Sequence, residues 1–267
     1  MKEDNLRIAV IGAGAIGGIT AALLSRKGHD VEIVCKYQET VDLVQSKGLH
    51  VSGILGEFYA KTAAVKEISD IKEKMDVVFI ATKVNDTSAV ARQIAPFLKE
   101  NALVVSLQNG IIEDELAGVV GQDRVVGCVV GWSATMIGPA DMVFTRAGDF
   151  IVGDLFGLGD KKVAVVADIL NDVVETRIVQ NILGELFSKL ILNCCINALS
   201  VITGLNIGPM LDLKPVRDLF IVIMAEAVAV ADASGVELVP IMGGQLDYHA
   251  FLRGDDVVSC QKRDDLL

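Results

Sequence analysis

The residues Gly12-Ala13-Gly14-Ala15-Ile16-Gly17 have the types and spacing for one kind of chemistry, the cradling of a pyrophosphate. In such a loop Gly12 allows a tight turn, Gly14 lets backbone N–H groups approach the anion, and Gly17 lets helix and strand pack closely. The free N–H groups and dipole of the helix N-terminus then favour the negative charge. The surrounding text agrees: the apolar run LRIAVI precedes the loop, the helix-like GITAALLSRKG follows it, and a second strand-like run, VEIVCK, comes next. Strand, turn, helix and strand in that order predict dinucleotide binding through Gly12, Ala13, Gly14, Ala15, Ile16 and Gly17 rather than a bare turn.

Sites that prefer NAD end the second strand with an acid, about 20 residues on, that accepts from the ribose hydroxyls. Here Glu32 falls early, inside the strand, and the strand-end position is Cys35, followed by the cation Lys36. A cation there suits the 2′-phosphate of NADP(H); the alternative is a solvated loop lysine. Two further apolar runs, VVFIATK and VVSLQNG, end in Lys83 and near Asn109. In open α/β sheets ligands bind at the C-terminal ends of strands, which places both to face a cofactor. Equally, Lys83 reads as a helix-start lysine and Asn109-Gly110 as a turn pair.

A second polar pattern lies in the otherwise apolar segment LFSKLILNCCIN, where Lys189, Asn193 and Asn197 recur every fourth residue. At about 100° per residue these three share one stripe of a helix. One reading has the asparagines bonding neighbouring helices while Lys189 snorkels to water. The other has Lys189 as a proton donor beside a hydride-accepting carbon, with the amides holding a polar substrate. Histidine is poorly supplied for that role: His29 follows the first helix in a turn, His50 falls in a hairpin-like stretch, and His249 remains an outside candidate.

The elements that must position these residues are legible as alternating runs. Strands are expected at Leu6–Ile11, Val31–Val34, Val77–Ile80, Leu103–Leu107, Val125–Val130 and Phe150–Val152, separated by helix-length segments. Strands so fully apolar need cover on both faces, so the expected class is α/β, an N-terminal Rossmann-like parallel sheet domain followed by an all-α C-terminal domain. The stretch from Gly48 to Ala64 reads as two short strands around a turn, an architectural insertion. After Gly159 the strand signal disappears, and helices are expected at Lys161–Asp172, Leu183–Ser200, Pro215–Ser234 and from Val239 onward. The boundary is set at 178/179, giving an NADP-binding domain over 1–178 and a helical substrate and dimerisation domain over 179–267.

Length and composition bound the rest. The chain has 267 residues, 52% hydrophobic and 22% charged, enough to build a core and unlike a disordered chain. The net charge of −11 has the wrong sign for binding a phosphate backbone, so no nucleic acid partner is expected. The five cysteines form no CxxC pair, which suggests neither a disulfide framework nor a zinc site and fits a reducing cytoplasm. The N-terminus lacks a secretory pattern. Leu190 to Leu211 is uncharged and long, yet holds Asn193, Asn197, Asn206 and Pro209, so a buried helix and turn is expected there rather than a membrane span. The apolar segment Pro215–Ser234 must be covered, as core or in a homodimer.

With GAGAIG, Thr82-Lys83, Gln108-Asn109-Gly110 and the Lys189/Asn193/Asn197 helix in this order, the sequence resembles the ketopantoate reductase (2-dehydropantoate 2-reductase) family over nearly its whole length. The resemblance implies NADPH-dependent reduction of a 2-oxo acid, ketopantoate to pantoate, in pantothenate and coenzyme A biosynthesis. It implies that Gly12 to Gly17 hold the pyrophosphate, Lys36 the 2′-phosphate, Lys83 and Asn109 the cofactor border, and that Lys189 is catalytic with Asn109, Asn193 and Asn197 on the substrate. Asn206 lies near a further substrate asparagine of the family, out of step by about one residue. The family continues into a Ser-containing stretch and a glutamate; Ser259 in GDDVVSCQKRDDLL does not match, so a truncated second domain is expected. A non-catalytic NADP-binding regulatory protein and a reductase of another small 2-oxo acid are the alternatives.

Overall fold

A computed structural model describes residues 6–241 and 244–254. The C-terminal reading around Ser259 therefore lies outside the described residues. The chain separates into two compact units, Met1–Ile182 and Leu183–Leu267.

In the first unit β1 (Arg7–Ile11) runs into α1 (Ala15–Lys27), β2 (Asp30–Val34) and α2 (Gln38–Ser46). Three short strands follow, β3 (Leu49–Gly53), β4 (Phe58–Ala60) and β5 (Ala63–Val65). Next come β6 (Met75–Ile80), α3 (Thr87–Ile94), β7 (Leu98–Ser106), α4 (Glu113–Val120) and β8 (Val125–Val130). The unit ends in β9 (Ser133–Gly138), β10 (Asp141–Arg146), β11 (Phe150–Gly153), α5 (Asp160–Asn171) and β12 (Thr176–Ile178). The class is α/β with a helical C-terminal region, as the alternation of runs implies.

Eight strands form the main sheet in the order β12-β11-β8-β7-β6-β1-β2-β5, parallel except where β11 meets β8. The strand order reverses between β1 and β6, because the chain builds outward through β2 and β5 before crossing back. In such sheets the ligand crevice opens at the carboxyl ends of the strands flanking the reversal. Ile8, Val10, Val77, Phe79 and Val105 on one face and Ala9, Ile11, Val78, Ile80 and Val104 on the other are buried in two separate cores. Burying each of these Val, Ile and Phe side chains contributes about 1.5–3 kcal/mol, which is why these strands carry no polar face.

A second sheet, β4-β3-β10-β9, was not legible as a sheet. The hairpin reading around Gly53–Gly56 holds for β3 and β4, which pair antiparallel. Their other neighbour is β10, paired in parallel with β3 so that Asp141 faces His50. This sheet packs on α1, where Gly17, Gly18, Ile19, Thr20, Ala21, Ala22 and Leu24 are all buried. With sheets on both sides, α1 has almost no wet face, and its sequence is apolar all round for that reason. Three expectations are corrected: β9 and β10 fill the stretch between the Val125–Val130 and Phe150–Val152 runs, where the sequence predicts no strand; a strand (β12) does follow Gly159; and among the described residues from Val239 onward the helix is confined to Tyr248–Arg253. Thr176–Ile178 is too short and too exposed to show a strand period.

His50 sits at the centre of this second sheet. Its Nδ1 is 2.6 Å from Asp141 Oδ1, its Nε2 is 3.1 Å from Glu57 Oε1, and its ring stacks on Tyr59. Burial pulls the imidazole pKa down, but the hydrogen bonds and charges of Asp141 and Glu57 outweigh it and hold the group above its ordinary value. A raised histidine pKa gives stability that is fully present below the unfolded value of about 6.5 and is lost as pH rises through the folded value. His50→Gln is therefore expected to lower Tm by about 2 °C at pH 6 and by less at pH 8, as read by thermal melts across that range.

The second unit comprises α6 (from Ile182, which closes the first unit, to Thr203), α7 (Ile207–Leu211), α8 (Lys214–Ala233) and α9 (Tyr248–Arg253). Ile191, Cys195 and Leu199 of α6 share a core with Met210, Phe220, Met224, Val228, Tyr248 and Phe251. Among the described residues α6 is the one helix long and apolar enough, by length and composition, to cross a membrane. Its uncharged text does not continue as helix, because Gly204 at φ 68° breaks it before α7. On α8, Phe220, Met224, Val228 and Ala231 are buried, whereas Leu219, Val222 and Val230 are exposed.

Candidate cofactor and catalytic site

At the carboxyl end of β1 the chain turns at Gly12, whose φ of 112° disfavours a side chain and whose Cβ would lie 2.9 Å from the Ala81 carbonyl oxygen. Ala13 follows, and Gly14 is the residue before the first turn of α1, in ordinary extended backbone at φ −76° and ψ −174°. Gly17, inside α1, has no room at all: an added Cβ would fall on the Gly12 carbonyl oxygen and 2.8 Å from Ala81 Cβ. Gly12 and Gly17 thus satisfy the protein's own packing. Gly14 does not, since a Cβ there meets nothing within 4 Å. The space it leaves open faces the uncharged first turn beginning Ala15-Ile16-Gly17, where N–H groups are unclaimed by the helix. That is the cradle a pyrophosphate needs, and the residues present fit a dinucleotide.

The neighbouring loops are drawn level with this turn by continuation of the sheet ladders. Gly12 N–H donates to Val34 O at 3.0 Å, Ala81 N–H to Ile11 O at 2.9 Å, and Leu107 N–H to Ile80 O at 2.8 Å. Beyond β2, the Cys35 side chain is fully buried and its thiol is pushed up to about 11 by that burial, so it is inert. The next residue, Lys36, is exposed beside the exposed ring of Tyr37. Beyond β6, Lys83 is exposed and opens a short helical turn at Val84–Asp86. Beyond β7, Asn109 is exposed and Gly110 turns the chain at φ 106°. Lys36, Lys83 and Asn109 therefore all stand at strand carboxyl ends, and the local readings of Lys83 as a helix-start residue and Asn109-Gly110 as a turn pair hold at the same time.

One residue of this region went unassigned in the sequence. Gln108 is 8% exposed, and its amide is bonded to Thr82, Thr87 and Ser106. Ser106 is two residues away, but Thr82 and Thr87 lie 26 and 21 residues off in the chain, so no local signal marks them. Glu113 at the start of α4 is also buried; burial raises its pKa, and it accepts from the Ile112 N–H at 2.9 Å.

In the second unit, Lys189, Asn193 and Asn197 lie on the side of α6 opposite to Ile191, Cys195 and Leu199, the side that makes the core. Lys189 and Asn193 are half-buried and Asn197 is exposed. The turn of α6 before Lys189 is fixed from two directions: Val239 N–H donates to Ser188 Oγ at 3.0 Å, and the Tyr248 hydroxyl donates to the Ser188 carbonyl. Cys195, inside the core, has its thiol pushed up to about 12 by burial. Asn206 stands at the start of α7, exposed. The histidines are engaged elsewhere, His29 with Asp172 at 2.8 Å and His249 with Asp232 at 2.9 Å.

Comparison with known proteins covers both units. The family model described as ketopantoate reductase PanE/ApbA matches residues 8–157, and the model for the C-terminal part of the same family matches 181–253. The chain belongs to the ketopantoate reductase family. It is 27% identical over 263 residues to the 2-dehydropantoate 2-reductase of Archaeoglobus fulgidus, covering 98% of this chain and 83% of that one. The crystal structure of 2-dehydropantoate 2-reductase from Geobacter metallireducens matches with a TM-score of 0.82 at 26% identity, over 97% of this chain and 88% of that one. The D-mandelate dehydrogenase solved with NADH and anilino(oxo)acetate shares the fold, with a TM-score of 0.82 at 23% identity over 98% of this chain and 80% of that one. As a ketopantoate reductase family member the chain is an oxidoreductase.

Proposed function

We propose that the chain reduces a small 2-oxo acid to the 2-hydroxy acid with NADPH, and that the acid is 2-dehydropantoate, placing the reaction in pantothenate and coenzyme A biosynthesis. The observation that carries this reading is the family match across both units, and the open Gly14 cradle supports it from the side of the geometry. NADPH, when bound, supplies the hydride for the carbonyl carbon. The backbone N–H groups of the Gly12 to Gly17 loop hold its pyrophosphate, and Lys36 takes the 2′-phosphate. Lys83 and Asn109 border the cofactor from the β6 and β7 loops. Lys189 Nζ donates a proton to the carbonyl oxygen as negative charge develops there, and Asn193, Asn197 and Asn109 orient the substrate's polar groups. A chain of net charge −11 binding an anionic cofactor and an anionic acid needs its cations placed locally, which is the work assigned to Lys36, Lys83 and Lys189.

The test is loss of NADPH absorbance with 2-dehydropantoate and with a panel of other 2-oxo acids. Fastest turnover on 2-dehydropantoate is expected; faster turnover on another acid moves the substrate, and tight NADPH binding with no turnover on any acid overturns the enzymatic reading. The cofactor preference is tested with Lys36→Ala. A lost charge-assisted contact to phosphate corresponds to about 10- to 100-fold weaker NADPH binding. NADH binding is expected to stay unchanged, and equal losses for both cofactors would count against a 2′-phosphate role.

A further inference from the structure

We infer that Gln108 is a positioning residue that holds Lys83 and Asn109 in fixed relation at the ends of β6 and β7; this rests on the reading of those two residues as the cofactor border. Both polar atoms of the Gln108 side chain have hydrogen-bond partners. Nε2 donates to the Thr82 carbonyl at 3.1 Å and to Thr82 Oγ1 at 3.2 Å. Oε1 faces two hydroxyls, Thr87 Oγ1 at 3.1 Å and Ser106 Oγ at 3.1 Å. The backbone N–H of Gln108 also donates to Ser106 Oγ at 3.1 Å. The Thr82 carbonyl accepts only, so it decides which end of the amide faces it: the reversed amide would set oxygen against oxygen.

The consequence lies in what these bonds adjoin. The Thr82 carbonyl belongs to the peptide group that leads directly into Lys83, and Gln108 itself is one residue from Asn109. A single buried side chain therefore pins both loops across two adjacent parallel strands. A second tie reinforces it, since Ser88 at the start of α3 donates to Glu115 of α4. Neither Lys83 nor Asn109 is held by a buried side chain of its own, as both are exposed. In the strand order of this sheet, β6 and β7 lie on the far side of β1 from β2, so their loops serve the half of a dinucleotide opposite to the one served by Lys36.

Full-length Gln108→Ala and Gln108→Glu test this. Misplacing a positioned group by about 1 Å costs on the order of 100-fold, so kcat/KM with NADPH is expected to fall by about that factor in Gln108→Ala. Binding of adenosine 2′,5′-bisphosphate, which carries no nicotinamide, is expected to stay at the wild-type level, because the Gly12 to Gly17 loop and Lys36 are untouched. Gln108→Glu keeps the shape but presents a carboxylate to the Thr82 carbonyl; its protonated form restores one donor, so its deficit is expected to shrink as pH falls, while that of Gln108→Ala stays flat. Hydrogen exchange on the unliganded chain gives a readout independent of activity: faster exchange in 82–85 and 108–110, with 12–17 unchanged. Wild-type exchange in those two segments, or equal loss of NADPH and bisphosphate binding, would overturn the role. Absence of NADPH turnover in the wild-type chain would sink the functional reading instead and leave the exchange result to decide on the clasp.

Discussion

Gly14→Ala is expected to abolish cofactor binding in a chain that is as well folded as the wild type, and Gly17→Ala to do the reverse, disrupting the fold itself. The two glycines are three residues apart in one loop, yet their surroundings differ completely. At Gly14 the backbone is in a region any residue adopts, and a methyl group meets nothing within 4 Å. The cost to the unliganded protein is only that of a poorer residue before the helix, about 1 kcal/mol or less. The same methyl group occupies the space assigned to the pyrophosphate in the proposed reading, so NADPH affinity is expected to fall at least ~100-fold, which is about 2.7 kcal/mol. At Gly17 the methyl group would fall on the Gly12 carbonyl oxygen, and neither that backbone nor the Ala81 side chain can yield without moving β1 or the β6 loop. Overpacking of that kind costs about 1–3 kcal/mol or more. Thermal melts of the unliganded variants and an NADPH titration of each separate the two outcomes. Normal NADPH binding by Gly14→Ala would remove the pyrophosphate from this loop.

What the sequence could show of this site follows from how local each determinant is. The glycine loop is legible because its three requirements are met within six residues, between a strand and a helix that announce themselves by composition. The Lys189 stripe is legible because a helix repeats its faces every few residues, and the spacing of Lys189, Asn193 and Asn197 carries the geometry. The second sheet was hidden because its decisive pairing joins His50 to Asp141, far apart in the chain, and because Met136 and Ile137 of β9 are exposed and break any alternation. Its presence nevertheless leaves a trace in α1, whose buried residues occupy nearly its whole circumference. The same distance hid the role of Gln108: it stands in the quoted Gln108-Asn109-Gly110 run, but its partners Thr82 and Thr87 belong to another loop. The order of the main sheet, which puts the reversal between β1 and β6, depends on non-local pairing in the same way. Candidates defined by their own neighbours are legible in the sequence, and a residue such as Gln108 that bonds to another loop is not.

Lys189→Ala is expected to lower kcat by about 10²–10⁴-fold, the range in which a positioned general acid contributes, while NADPH affinity stays within about 2-fold of wild type. Affinity should hold because the pyrophosphate and 2′-phosphate are assigned to the first unit, and Lys189 belongs to the second. The helix should persist, since alanine is the best helix former and the core is made from the opposite face by Ile191, Cys195 and Leu199. Asn193→Ala and Asn197→Ala are expected to act differently, raising KM for the 2-oxo acid more than they lower kcat, because amides that orient the substrate serve the ground state as well as the transition state. Lys189→Arg sharpens the assignment. It keeps a positive charge on the stripe but replaces an ammonium that can give up a proton with a guanidinium that does not, so a purely electrostatic role would be rescued and a proton-donating role would not. Steady-state kinetics of the four variants, with NADPH binding measured separately, distinguish these cases. Full turnover by Lys189→Ala would take the proton donor off this helix altogether and leave its polar stripe to the packing of the second unit.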